Sequence, residues 1–399
     1  LTGKTAIDHG VVANGFFWRD ERKVEMWTAW NEVIQQPQIW DTLKTLDDRL
    51  TTMAWFPMLA KGCAADVVCM PAPIHRPDGS EDLWCHTRPQ EFYGNLIQRL
   101  GHFPLKHFWG PLANIKSSQW IADAAVMAVE KFRPDFSYIY LPHLDYAAQK
   151  FGPNSPQADA ALVELDLLIA TFARQVQQIV GAVQWAVASE YVIGEVDHVS
   201  YPNRVLREAG LLTVGRRGDD GDREHLDLAC SDAWAMVDHQ YAHVFVRDSD
   251  PAIIDRVAAI FRSIDGIANV LVGEERGSLN HPRSGDVVLV SAPNSWQAYY
   301  WWFDDALAPT FARTVDIHRK PGYDPVELCF DFETMSVPLD ESLIKGSHGL
   351  AVDDDDCQGV LLSNRAAGSG EPNVMHDVDV HDWVVNQFRT APECTSIGD

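Results

Sequence analysis

Residues 133–153, RPDFSYIYLPHLDYAAQKFGP, decide the fold. Pro134 ends the helical pattern SQWIADAAVMAVEKF (118–132), because a proline ring excludes the α conformation from the residue before it. FSYIYLPHLDY then reads as a strand that runs into a polar turn, and ADAALVELDLLIATFARQVQQIV (158–180) is a long amphipathic helix. AVQWAVASEY (182–191) is a second buried strand ending in charge, and TTMAWFPML (51–59) is a third, further upstream. Strands alternating with helices in this way predict an α/β fold whose largely parallel sheet is covered on both faces. Ligands of such sheets collect beyond the carboxyl ends of the strands, where the LPHLDY and ASEY turns fall.

Working outward, residues 27–50 are Trp-rich with apolar spacing that suits helices, and VVCMPAPIHRPDGSEDLWCH (67–86) is a proline-bearing loop excursion followed by a helix ending near Gly101. From 215 to 284 the texture changes to a charged loop (GRRGDDGDRE), a short strand (AHVFVRD) and a helix begun by Pro251. This predicts a small inserted α/β subdomain, after which GDVVLVSA (285–292) returns to the core as a strand. DDDD at 353–356, AAGSGEPN at 366–373 and the end of the chain, APECTSIGD, read as solvated loops and a tail.

A chain of 399 residues, 46% of them hydrophobic, is long enough to bury a substantial core. Its formal charge of -25 opposes attraction to nucleic acid polymers and anionic membranes, so a small substrate held by local cations fits better. No apolar run reaches the length of roughly eighteen residues that a membrane span needs, and no signal peptide is visible after Leu1. Seven scattered cysteines without a regular framework read as reduced and structural, which favours the cytoplasm; the oligomeric state is not encoded in any pattern.

Three residues at predicted strand ends carry the chemistry. Asp145 follows FSYIYLPHL, Glu190 follows AVQWAVAS, and His348 lies in the Gly-flanked turn KGSHGL. Carboxylate oxygens with an imidazole are a donor set for Zn²⁺ or Mn²⁺, and two such ions can clamp the attacking and leaving oxygens of a phosphoryl group. Taken singly, each residue also has an ordinary structural reading: an aspartate after a strand caps a helix, and a histidine between glycines belongs to a turn.

LTGKTAIDHGVVANGFF (1–17) resembles the segment that follows the nucleophilic threonine in the nucleotide pyrophosphatase/phosphodiesterase family of the alkaline phosphatase superfamily. RPDFSYIYLPHLDYAAQKFGP resembles that family's metal turn, Asp-x-x-x-His-x-x-Gly-Pro, with Asp145, Gly152 and Pro153 in place; VELDLLI, with Asp166, resembles the helix after it. SEY (189–191) stands where the family has Ser-Asp-His, and GSHG (346–349) where it has its last metal histidine. HPRSGDVVLVSAP (281–293) and VDVHDWVVNQF (378–388) fall where it has a core strand and a final helix.

The resemblance implies a three-layer α/β sandwich with a mostly parallel central sheet. Its core would be 1–214 and 285–391 without its first strand, 215–284 a cap and 392–399 a tail. It also implies that Asp145 and His348 bind one of two divalent ions, that Glu190 binds the second, and that Asn14 donates its amide to a phosphoryl oxygen. Asn14 has a structural alternative, a positive φ before Gly15. The family's threonine would lie upstream of Leu1.

Two departures stand out. Gln149 and Tyr191 replace histidines of the family, and both are poorer zinc ligands than imidazole. Substitute imidazoles are therefore sought at His318, in TVDIHRKPGYDP (314–325), and at His239, in MVDHQYAHVFV (236–246), where a strand would put His239 and His243 on one face. Arg319 or Lys320 would grip phosphate, His143 would stand behind Asp145, and Trp18, Trp27, Trp40 and Phe108 are candidates for stacking on a nucleobase. The function expected is metal-dependent hydrolysis of phosphodiester or nucleotide pyrophosphate bonds. Phosphonate or sulfate ester hydrolysis is the near alternative, and a non-catalytic binding protein the distant one.

Overall fold

The computed structural model describes residues 1–76, 81–351, 358–365 and 374–389; the acidic loop at 353–356, the loop at 366–373 and the tail lie outside them. Thr52–Trp55 (β1) is buried along its whole length, because it runs between two parallel neighbours, Val67–Pro71 (β2) and Phe136–Ile139 (β4). Cys85–Arg88 (β3) closes the far side antiparallel to β2, so the sheet order is β3-β2-β1-β4 and the sheet is mixed. Side chains alternate across a strand. Met53 and Trp55 accordingly join one core with helices Phe92–Leu100, Ile115–Phe132 and Pro156–Val180, while Ala54 joins another with Ile39–Leu46 and Val385 of Asp379–Arg389. Helices thus cover both faces.

The long helix Pro156–Val180 starts where Ser155 accepts the amide of Ala158 with Pro156 in the first turn, and it ends at Gly181. Ahead of it, residues expected as a polar turn form a short helix of their own, Leu144–Phe151 (α1), which places Asp145 in its first turn. His143 packs against the long helix, its Nε2 2.9 Å from Glu164 Oε2, rather than behind Asp145.

Ala186–Ala188 (β5) is only partly covered, since among the described residues it pairs with Leu361–Ser363 and not with the first sheet. A second sheet is antiparallel throughout: Ala233–Asp238 (β6), Tyr241–Val246 (β7), Ile267–Val272 (β8) and Val287–Ser291 (β9), in the order β6-β7-β9-β8. Val287–Ser291 is therefore a partner of strands from the 215–284 stretch and not of β1, which departs from the expectation of a return to the core sheet. A two-residue loop, His239–Gln240, joins β6 to β7, with His239 at a φ of 58°. Such loops commonly place glycine at that first position, so a histidine there is strained.

Asn203 locks the second sheet to the aromatic run that follows it. Fully buried, it donates Nδ2 to the carbonyls of Ala235 and Tyr299, both at 2.9 Å, and accepts the Ala235 amide at 2.8 Å. Asn203→Ala leaves those groups buried without partners and is expected to cost about 2–4 kcal/mol, read as a lower urea midpoint at unchanged slope.

Candidate functional site

Asp145, Gln149, Glu190, Tyr191, His239, Tyr323 and His348 come together from α1, the end of β5, the β6–β7 loop and two later loops. Helical spacing puts Asp145 and Gln149 on one face, and Gln149 Nε2 donates to Asp145 Oδ1 at 2.6 Å. The other end of the same amide, Oε1, accepts the Tyr323 hydroxyl at 2.7 Å. Gln149 also takes the Lys345 amide on its backbone carbonyl at 2.9 Å, which fixes the approach of Gly346–Ser347. A Cβ at Gly346 would stand 2.3 Å from the Ala148 carbonyl, so only glycine lets this strand lie against α1.

His348 then faces Asp145, Nε2 to Oδ1 at 3.9 Å. Its ring lies between Tyr191 (centroids 3.7 Å, planes 10° apart) and His239 (3.6 Å, 34°), and Tyr323 covers the far side of His239 at 3.8 Å. Backbone bonds hold this column of four rings: Gln240 N–H to the His348 carbonyl at 3.0 Å, Gln297 N–H to the His239 carbonyl at 2.9 Å and Tyr323 N–H to the Val237 carbonyl at 3.1 Å.

Burial dominates the electrostatics. It pushes the Asp145 carboxyl up to about 6, with the hydrogen bonds of Gln149 and Tyr191 pulling the other way. Glu190 keeps contact with solvent, yet the surrounding protein and then Asp145 push its carboxyl up as well. Burial lowers His348 to about 3 and holds His239 well below the usual imidazole range, so both rings are neutral at pH 7 with lone pairs free to accept. Among the described residues, no lysine or arginine side chain forms an ion pair with Asp145 or Glu190.

Asn14 adopts no positive φ. Its backbone and side-chain amides both donate to the buried Asp238, at 2.7 and 3.0 Å, and Asp238 also accepts the Tyr241 hydroxyl at 3.1 Å. His243 does not share a face with His239, because the hairpin loop puts His239 in the turn; His243 lies in the core, Nε2 3.1 Å from the Val12 carbonyl. His318 is exposed, Nδ1 3.4 Å from the Met26 carbonyl, in a cleft along Lys23–Trp30 and outside the column. Lys320 is buried between Asp324 (2.8 Å) and Glu327 (2.6 Å), so its charge is already compensated, and Arg319 points outward to Asp316 at 3.0 Å. Trp40 is a core residue at 0% exposure.

Two donors of the kind a divalent ion uses meet at one place. Zinc bonds of roughly 2.0–2.2 Å set two tetrahedral ligand atoms about 3.3 Å apart, and Asp145 Oδ1 and His348 Nε2 come within several tenths of an ångström of that. His239 is excluded from the same ion, since two imidazoles on one tetrahedral centre hold their rings about 5 Å apart and these two stack. Among the described residues no three His, Cys, Asp or Glu side chains are set to grip an ion, so Asp145 and His348 form an incomplete set. For a second ion, Glu190 is a single carboxylate beside the first.

A family model for type I phosphodiesterase/nucleotide pyrophosphatase matches residues 1–324. Among solved structures, the phosphonoacetate hydrolase of Sinorhizobium meliloti 1021 in complex with phosphonoformate is similar, with a TM-score of 0.55 and 18% identity over 96% of this chain and 82% of that one. Human ectonucleotide pyrophosphatase/phosphodiesterase 5 is similar too, at 0.52 and 12% over 98% and 82%. At these identities the likeness is one of fold. No curated protein matches the chain.

Asp145→Asn tests the electrostatics. A carboxyl raised from 3.8 to about 6 binds more protons folded than unfolded, so its ionisation costs stability as pH rises through that window. The asparagine variant, free of metal, is expected to exceed the parent by up to about 3 kcal/mol at pH 8 and by about half of that at pH 5, from urea unfolding at both. An advantage independent of pH would refute the raised carboxyl.

Proposed function

The chain belongs to the type I phosphodiesterase/nucleotide pyrophosphatase family, a family of hydrolases in the alkaline phosphatase superfamily, and from this we propose that it cleaves phosphodiester or nucleotide pyrophosphate bonds with a divalent ion at Asp145 and His348. The observation that carries the proposal is the meeting of Asp145, Glu190 and His348 from three distant parts of the chain. These carboxylates have no Lys or Arg partner among the described residues, and a phosphoryl group would be repelled by them alone. A bound Zn²⁺ or Mn²⁺ would supply the missing positive charge and polarise the phosphoryl oxygens.

The remaining roles fall to side chains of this protein. Gln149 and Tyr191 hold the Asp145 carboxylate in one orientation by hydrogen bonding. His348, neutral at pH 7, offers its Nε2 lone pair beside Asp145. To Glu190, open to solvent with a raised carboxyl, we assign exchange of a proton with the leaving oxygen. Asn14 keeps one amide hydrogen beyond its bond to Asp238, and we retain it as a donor to a phosphoryl oxygen. The attacking group we assign to a threonine upstream of Leu1, as the family resemblance implies. Phosphonate and sulfate esters are substrates of the same chemical kind. Gln149 and Tyr191, in place of imidazoles, favour a second reading in which ligand is bound and not turned over.

Hydrolysis of bis(p-nitrophenyl) phosphate by the full-length protein in zinc or manganese separates the two. Turnover that a chelator removes, and that falls on the order of 10³-fold in Asp145→Ala, is expected. Zero turnover together with AMP binding would replace the hydrolase by the binder.

A further inference from the structure

We infer that His239 and Tyr191 are the two plates of a clamp that fixes the His348 imidazole edge-on to Asp145, and that His239 is a positioning residue and not a ligand. The inference rests on the metal reading of Asp145 and His348 given above.

Three observations lead to it. First, both faces of His348 are covered at contact distance, by a phenol at 3.7 Å and an imidazole at 3.6 Å, which leaves only the ring edge free. Rotation of His348 would drive its ring into one plate or the other. Second, the stack rules out a shared ion, as the ring separation shows. Third, His239 is built as a slab. It is 4% exposed, its Nδ1 has no hydrogen-bond partner among the described residues, its Nε2 is 3.8 Å from Asp238 Oδ1, and Tyr323 backs its second face at 3.8 Å. Among the described residues the ring nitrogens make no hydrogen bond, whereas both ring faces are covered.

The clamp is anchored from the backbone. Gln240, next in the hairpin loop, donates its N–H to the His348 carbonyl at 3.0 Å, so ring and main chain of residue 348 are held by one two-residue turn. This accounts for the persistence of a φ of 58° at His239: the turn is tied on both sides, through the Val237–Gly322 bridge and the Gln297 amide, and relaxation would open the stack.

Zinc titration by calorimetry on the full-length protein tests the inference, with thermal unfolding of each variant as a control for folding. Wild type is expected to bind zinc, and His348→Ala to lose it. His239→Ala is expected to weaken zinc binding roughly 10–100-fold, as loss of an orienting neighbour does. His239→Phe, which keeps a plate but has no nitrogen, is expected to stay within about threefold of wild type. If His239→Phe, still folded, loses zinc as fully as His348→Ala, His239 is a ligand and the inference is overturned. It is also overturned if His239→Ala binds as wild type does, or if wild type binds no zinc. Zinc binding with the expected pattern but no hydrolysis leaves the clamp standing while the hydrolase falls.

Discussion

Gln149 is the constraint on which the site depends. Its side chain has no exposed surface, so both ends of the amide need partners inside the protein. The NH₂ goes to Asp145 and the carbonyl to Tyr323, which joins a helix of the first half of the chain to a loop of the second. Its backbone carbonyl receives Lys345, the residue that leads into Gly346, Ser347 and His348. A neutral imidazole at 149 would also offer one donor and one acceptor, but across a rigid ring and not at the two ends of one amide. The departure from the family pattern at 149 is thus built into the surrounding structure as well as into the site.

A second constraint sits behind it. Lys320, Asp324 and Glu327 form a buried ionic cluster, with Glu327 also taking the Trp109 indole at 3.0 Å and the Asp316 amide at 3.0 Å. Trp109 packs against Tyr323 at 5.5 Å. The cluster therefore braces the outermost ring of the column; a cation that seemed available for phosphate is spent on holding an aromatic wall. Removing one member of such a cluster strands the others without compensation, which is strongly destabilising.

Much of this was legible in the sequence. The buried strand at 52–55, the strand at 136–139 and the long helix over 158–180 follow from periodicity, whereas Asp145, Glu190 and His348 were grouped at strand ends mainly through the family resemblance. His239 was singled out because an imaginable ligand was missing, and it does reach the site, though by way of a hairpin turn that a strand reading at 236–246 would not place. Tyr323 was not legible, since its bond to Gln149 crosses 174 residues and no local pattern announces it. The antiparallel pairing of Val287–Ser291 was hidden for a related reason: an apolar run records burial and not the direction of its neighbours.

The column of four rings draws Tyr191, His239, Tyr323 and His348 from segments that are far apart along the chain. His239 and Tyr323 can stack once both are made, but Tyr191 has no partner ring until His348 is made, so during synthesis Asp145 waits for a partner that emerges late. Closing contacts of such long sequence separation is the slow part of folding. The cluster therefore forms as one of the final events in the maturation of the protein, and a chain stalled before residue 348 carries a folded first sheet and no site.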